Sequence, residues 1–356
     1  MEKMKAALIG CGGRNGVHFQ KLSVMADVDI IGFCDVEIAK AEAMAAKYGS
    51  GKTYDNYKSM LADIRPDVIF IAVPPHQHGE IENAIIDLGI PFQVEKPMAL
   101  DYAVAEKIAA RIEEKGLLTN VGFQDRWQNL TEIMKDFVAE HQPAVVRGSW
   151  IGGIPGVWWW RHQDTCGGQI VEQNIHLFDQ LRFLFGEPEN VYCASTNGMV
   201  TPEEYNMPGY DLDMDYSSAV MKFKNGVVAT LFTGCYVKPG SKVDNGLTVY
   251  GKDFTVQYFL RSGLTITDKS GTRTWKRDTK NYSATEPWEL IFTDVDGRVY
   301  KTSEYEQTEL QDRIFIDAVK SGDASKLRTT YRDALKSLKL TMACNESAVS
   351  GKVVEL

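Results

Sequence analysis

The chain has 356 residues, which suits two domains at roughly 150 residues each. Hydrophobic residues make up 44% and charged residues 24%, ordinary globular usage that excludes a disordered chain, a collagen-like repeat and a coiled coil. With 39 basic against 48 acidic residues the net charge is −9; no basic cluster is present to hold nucleic acid or an anionic membrane, and no apolar run approaches the ~20 residues of a membrane span.

The opening stretch MEKMKAALIGCGG carries only a short apolar run before its glycines. It reads as a first strand and not as a signal peptide, so a cytoplasmic location is expected. Cys11, Cys34, Cys166, Cys193, Cys235 and Cys344 are scattered, with no C-x-x-C pair. That fits reduced thiols better than a disulfide scaffold or a zinc site.

Lys5–Ile9 and Ile30–Cys34 read as buried strands, with a helix over Glu37–Tyr48 after them. Asp67–Val73 is a continuous apolar run, typical of a parallel strand covered on both faces. Gln77–Leu88 is predicted helical, Pro91–Val94 a short strand, Asp101–Lys115 a helix stopped by Gly116, and Leu117–Gly122 a strand. This alternation predicts an α/β domain over residues 1–123, a doubly wound parallel sheet of Rossmann type.

Beyond Phe123 the texture changes. Ile133–Glu140 reads as a helix, Ala144–Trp150 as a strand, and Gln169–Phe185 as one continuous helix closed by Gly186. Strand-like runs follow without intervening helices: SSAVMKF, VVATLFTG, GLTVYG, FTVQYF and LTITD. They predict an α+β domain over 124–356 with a large, mainly antiparallel, open-faced sheet. Two closing helices, about 307–321 and 331–347, are expected to be free to pack back onto the first domain.

Gly10-Cys11-Gly12-Gly13-Arg14-Asn15-Gly16 follows the first strand and opens a helix. A dinucleotide fingerprint needs one glycine for the tight turn, one for backbone approach to pyrophosphate, and one for helix–strand packing. Gly10 and Gly12 fit the first two; Asn15 stands at the third. Asp35 closes the second strand, where a carboxylate accepts the ribose hydroxyls and repels a 2′-phosphate. NAD is therefore expected over NADP. The other strand ends place Val73, Pro74 and His78, then Glu95 and Lys96, at the ligand crevice. The Lys96 ammonium can polarise an alcohol oxygen and relay its proton.

The Gly10–Gly13 turn, Asp35, the Pro74-Pro75-x-x-His78 block and Glu95-Lys96-Pro97 together resemble the Gfo/Idh/MocA family, which includes glucose–fructose oxidoreductase and inositol dehydrogenase. The likeness continues through Trp160-Arg161, Gly167-Gly168, Glu172, His176 and Asp179, and through Phe315–Asp323. Asn15, Pro75 and Glu172 depart from the usual residues. Glu172, His176 and Asp179 are spaced to share one face of the predicted helix. A metal held by these three is the competing reading, but no second His joins them at metal spacing, and none is expected.

The resemblance implies NAD-dependent oxidation of a secondary hydroxyl of a sugar, glycoside or cyclitol. His176 would act as base, Lys96 would hold the same oxygen, Glu172 would support both, and Asp179 would bind a further hydroxyl. The two nitrogens are expected to converge on one alcohol oxygen. Arg126, Trp160, Arg161, Asp164 and Tyr236 are further substrate-side candidates, and one ring of Trp158-Trp159-Trp160 could stack on a sugar. The family also implies a homodimer or homotetramer through the open sheet face. Competing readings are redox-assisted glycoside elimination or hydrolysis with recycled NAD, and an NAD- or sugar-sensing protein without catalysis.

Overall fold

The computed structural model describes residues 3–201, 209–238, 240–276, 288–304 and 310–356. The chain divides into two compact units, Met1–Phe123 with Glu309–Lys336, and Gln124–Thr308 with Ser337–Leu356.

The first unit is a six-stranded, all-parallel sheet. Its strands are β1 (Met4–Ile9), β2 (Val28–Cys34), β3 (Lys52–Tyr54), β4 (Val68–Ile71), β5 (Phe92–Val94) and β6 (Thr119–Val121), in the order β3-β2-β1-β4-β5-β6. That order reverses between β1 and β4, and such switch points are where open α/β sheets take ligands. The connections carry α1 (Gly13–Leu22), α2 (Ile38–Tyr48), α3 (Tyr57–Asp63), α4 (Glu80–Asp87) and α5 (Tyr102–Lys115). Every side chain of β4 is buried, which explains its unbroken apolar run. The Asp101 carboxylate caps α5 by accepting from Ala103 N at 2.7 Å.

The second unit holds an eleven-stranded sheet. Its strands are β7 (Pro143–Ile151), β8 (Pro188–Thr196), β9 (Tyr216–Phe223), β10 (Val228–Gly234), β11 (Gly246–Gly251), β12 (Phe254–Phe259), β13 (Gly263–Asp268), β14 (Gly271–Lys276), β15 (Trp288–Asp294), β16 (Val299–Glu304) and β17 (Val354–Glu355). Their order is β16-β15-β14-β13-β12-β11-β7-β10-β9-β8-β17, antiparallel except for the β7–β10 pair. The helices α6 (Asn129–Glu140), α7 (Gln163–Cys166), α8 (Gly168–Glu172) and α9 (Ile175–Phe185) follow β6 and β7.

One face of this sheet packs against α6 and α9 through Leu130, Met134, Leu177, Phe178 and Leu181. The other leaves Tyr192, Val220, Phe232, Tyr250 and Phe259 exposed. Two helices precede β17, α10 (Leu310–Ser321) and α11 (Tyr331–Ser350). The α10 helix belongs to the first unit, and the division between units falls inside α11. The expected start of the penultimate helix, near Gln307, lies outside the described residues.

One expectation is corrected. The stretch from Gln169 to Phe185 is two helices, not one, with a break at Gln173–Asn174. Asn174 N donates to Gln169 O five residues back, at 2.9 Å, a wider turn than the α-helix allows. The Asn174 amide is also tied sideways to Thr233 Oγ1 on β10. Short polar side chains that bond outward compete with the helix in this way. The single-face argument linking Glu172 to His176 does not hold across the break.

Candidate functional sites in the two units

In the first unit the Gly-rich turn leaves β1 at Gly10, where φ is +82°. A Cβ there would sit 2.2 Å from Ala72 O, so only glycine fits. Gly12 and Gly13 are exposed, and a Cβ at either would meet no atom within 4 Å. The N-terminus of α1 has no side-chain cap and no acidic residue in its first turn. Open backbone N–H groups at a helix N-terminus suit a pyrophosphate, so the residues fit a dinucleotide.

Asn15 accounts for the departure from the fingerprint. It is fully buried, and its Nδ2 donates to Ile9 O at 2.9 Å, Gly10 O at 2.6 Å and Phe70 O at 3.3 Å. Where glycine would allow close packing, this amide pins α1 to β1 and β4. Asp35 lies at the end of β2. Its Oδ2 accepts from Cys11 N at 2.7 Å and its Oδ1 from Glu37 N at 2.9 Å, which sets the carboxylate beside the turn.

Glu95 is buried. Its Oε1 takes an ion pair from Arg14 Nε at 2.9 Å and a bond from His18 Nε2 at 2.9 Å. His18 Nδ1 meets Asp312 Oδ2 of α10 at 2.8 Å. Asp312 also accepts from Gln93 Nε2 at 2.9 Å, and Gln93 Oε1 accepts from Asn120 Nδ2 at 2.9 Å. Burial alone would lower the His18 pKa, but Asp312 and Glu95 outweigh it and raise it. Burial alone would raise the Glu95 carboxyl, but Arg14 and His18 hold it down at about 2.

A Cβ on Gly122 would meet Glu95 Oε1 at 2.3 Å, so that glycine makes room for the carboxylate. Lys96 follows Glu95, half-buried, with a cis bond to Pro97. His78 has its Nδ1 2.6 Å from Glu82 Oε1, and Glu82 Oε2 accepts from Gly79 N at 2.6 Å. That pair closes the start of α4. Val73 and Pro74 follow β4, half-buried.

In the second unit His176 lies in the first turn of α9, 6% exposed. Its Nδ1 is 3.5 Å from Asp125 Oδ2, and its ring stacks on Trp150 of β7 with centroids 5.9 Å apart. Asp125 sits in a 3₁₀ turn, Gln124–Trp127, and is 2% exposed. Neither Asp125 nor its partner Arg261 was among the sequence candidates. Asp125 lies in the turn that follows β6 by a few residues, beside Arg126, and that position near a strand end was the available signal.

Several of the substrate-side candidates lie buried within the second unit. Asp179 is 1% exposed and receives Arg126 through two bonds, Nε to Oδ2 at 2.7 Å and Nη2 to Oδ1 at 2.6 Å. Ser337 Oγ donates to the same Oδ1 at 2.6 Å. Arg126 and Asp179 thus form a buried ion pair. Trp160 is wholly buried among Cys166, Val200, Leu212, Cys235 and Tyr236, so it offers no ring face; of the three tryptophans, Trp158 stands open at 62% exposure.

Tyr236 is 7% exposed and shares a hydroxyl–hydroxyl bond with Tyr210. Glu172 ends α8, half-buried, with Arg161 half-buried and Asp164 exposed nearby in the chain. Burial and then the Glu172 charge push the Cys235 thiol upward.

A switch-point sheet with an open glycine turn, joined to a unit built on a large antiparallel sheet, defines a dinucleotide-dependent oxidoreductase. A profile described as an oxidoreductase family with an NAD-binding Rossmann fold matches residues 4–123, and the GFO/IDH/MocA C-terminal domain matches residues 142–257. The chain belongs to the Gfo/Idh/MocA oxidoreductase family.

It is 25% identical to D-apiose dehydrogenase of Paraburkholderia graminis, covering 100% of this chain and 90% of the relative. It is 23% identical to myo-inositol 2-dehydrogenase of Thermotoga maritima, covering 99% and 98%. The fold is similar to that of the WlbA dehydrogenase of Bordetella pertussis, solved with NADH and UDP-GlcNAcA, at a TM-score of 0.74 and 19% identity, covering 100% and 99%. Among the described residues no helix is long and apolar enough to cross a membrane.

Proposed function

We propose that this protein oxidises a secondary hydroxyl of a sugar, glycoside or cyclitol, with NAD as acceptor. The observation that carries the reading is His176, an imidazole with the Asp125 carboxylate 3.5 Å behind its Nδ1. A carboxylate beside one imidazole nitrogen can leave the other poised as a general base. The relatives named for apiose and inositol oxidation support the substrate class.

When bound, NAD supplies a two-electron acceptor for the hydride. The Gly10–Gly13 turn and the N-terminus of α1 hold its pyrophosphate, and Asp35 takes the ribose hydroxyls. His176 removes the hydroxyl proton as the carbinol C–H leaves with its electron pair. His176 then passes that proton to water, and the Lys96 ammonium is assigned to hydrogen-bond donation on the cofactor side. Glu172, Arg161 and Tyr236 are assigned to substrate contact. A cytoplasmic, oligomeric enzyme is part of the same proposal.

The test is a panel of monosaccharides, glycosides and inositols followed by NADH absorbance, with NADP in parallel. NAD reduction by at least one polyol is expected. His176→Ala should lower kcat on that polyol by ~100-fold or more, the size of losing a positioned base. No reduction across the panel, or near-normal turnover in the variant, would overturn the assignment.

A further inference from the structure

A base accepts a proton only at a nitrogen that does not already carry one, so a neutral imidazole must be held in one tautomer to serve. The neighbours of His176 matter to catalysis only if it is that base, so their role rests on the proposed reaction. The Asp125 carboxylate beside Nδ1 is fixed from behind. Arg261 donates to it twice, Nε to Oδ1 and Nη2 to Oδ2, each at 2.8 Å. Gln128 Nε2 adds a third bond to Oδ1 at 2.8 Å.

The face of the imidazole is fixed too. The Trp150 indole lies against it with the two planes 20° apart, and the Arg261 guanidinium covers that same indole at 5.6 Å. Arg261 therefore braces both neighbours of His176. It does so from φ +58° in the turn between β12 and β13, a backbone conformation uncommon for a long side chain. Such strain persists where the surroundings over-determine it, and it gathers at functional sites.

We infer that Asp125 is the positioning residue of His176 and Arg261 the brace that holds it. Asp125 accepts the proton on Nδ1, which leaves the Nε2 lone pair as the base. When Nε2 takes the proton of the alcohol, an imidazolium forms and the carboxylate offsets its charge without itself being protonated. At 3.5 Å the contact is long for a hydrogen bond, but contacts of this kind tighten when substrate binds.

The experiment reads the side-chain nitrogen shifts of ¹⁵N-histidine in the full chain without substrate, with His176→Gln assigning the signal. The Nδ1–H tautomer is expected. In Asp125→Asn, whose amide can donate to Nδ1, the Nε2–H tautomer should appear. On the best polyol of the panel, kcat should fall by about 100-fold or more with the KM for NAD unchanged, and Asp125→Glu should recover part of the loss. Arg261→Gln should broaden or split the His176 signals. An Nε2–H tautomer in the parent protein, or an Asp125→Asn variant with unchanged tautomer and kcat, would overturn the inference. Because the shifts need no substrate, inactivity on every polyol would count against the proposed reaction while the tautomer still decides the role of Asp125.

Discussion

Asn15 shows how one side chain can replace the packing role of a glycine. The amide is buried and donates to three carbonyls on β1, the following turn and β4. Asn15→Ala removes those bonds and leaves the Gly10 carbonyl short of a donor, which should cost about 1–2 kcal/mol. Urea denaturation checks this; an unchanged midpoint would show that water replaces the amide at no cost. The glycine pattern itself was legible because its residues are neighbours in sequence and its turn geometry is local. The reason Asn is accepted was not, because Phe70, one of its partners, lies on another strand. Asp125 stayed hidden for the same reason: Arg261, Trp150 and His176 come from three distant segments.

At the scale of elements, the buried His18 ties three of them together, α1 through its own backbone, the turn after β5 through Glu95, and α10 through Asp312. Its pKa is raised in the fold. Its contribution to stability is therefore fully present below the unfolded value near 6.5. It is lost as pH climbs through the higher folded value. Glu95 works in the opposite sense. Its pKa is lowered to about 2, so its contribution holds above the unfolded carboxyl value near 4.3 and fades as pH falls toward 2.

The groups facing His18 are Arg14 on its own helix, Glu95 after β5, and Asp312 on α10, with Lys21 acting on Asp312. Stability should decline as pH rises above the unfolded value near 6.5, and His18→Gln should remove most of that slope. Chemical denaturation across the range measures it; parallel slopes in the two proteins would refute the clamp.

Strands β1, β2, β4 to β7 and β9 to β13 and most helices were legible in the sequence, because burial on both faces leaves continuous apolar runs and burial on one face leaves alternation; β8 and β14 to β17 were not read. The break at Asn174 was not legible, since its cause is a hydrogen bond to β10. Nor was β3, three residues of mixed character without an apolar run.

For the whole molecule, each unit carries its own apolar core, around Leu8, Ile30 and Phe70 in one and Val146, Leu231 and Val249 in the other. A ligand held by the native state alone stabilises by mass action. NAD at 100 times its Kd should add about 2.7 kcal/mol, and, on the proposed role of Asp35 in repelling a 2′-phosphate, NADP at the same concentration should add much less. Calorimetry with each cofactor would show the difference. Equal shifts would remove Asp35 as the selecting group, and Asp35→Ala should narrow the gap.

The parallel pairing of β7 with β10 has a kinetic consequence. Val145 meets Val228 across a long loop, and the β8–β9 meander must fall into place inside it. Roughly eighty residues must be gathered before that ladder returns any energy, and such distant pairings slow folding. Synthesis of the chain past Gly234 is thus required before the centre of the larger sheet can zip, and until then the edge of β7 stands open to a wrong mate.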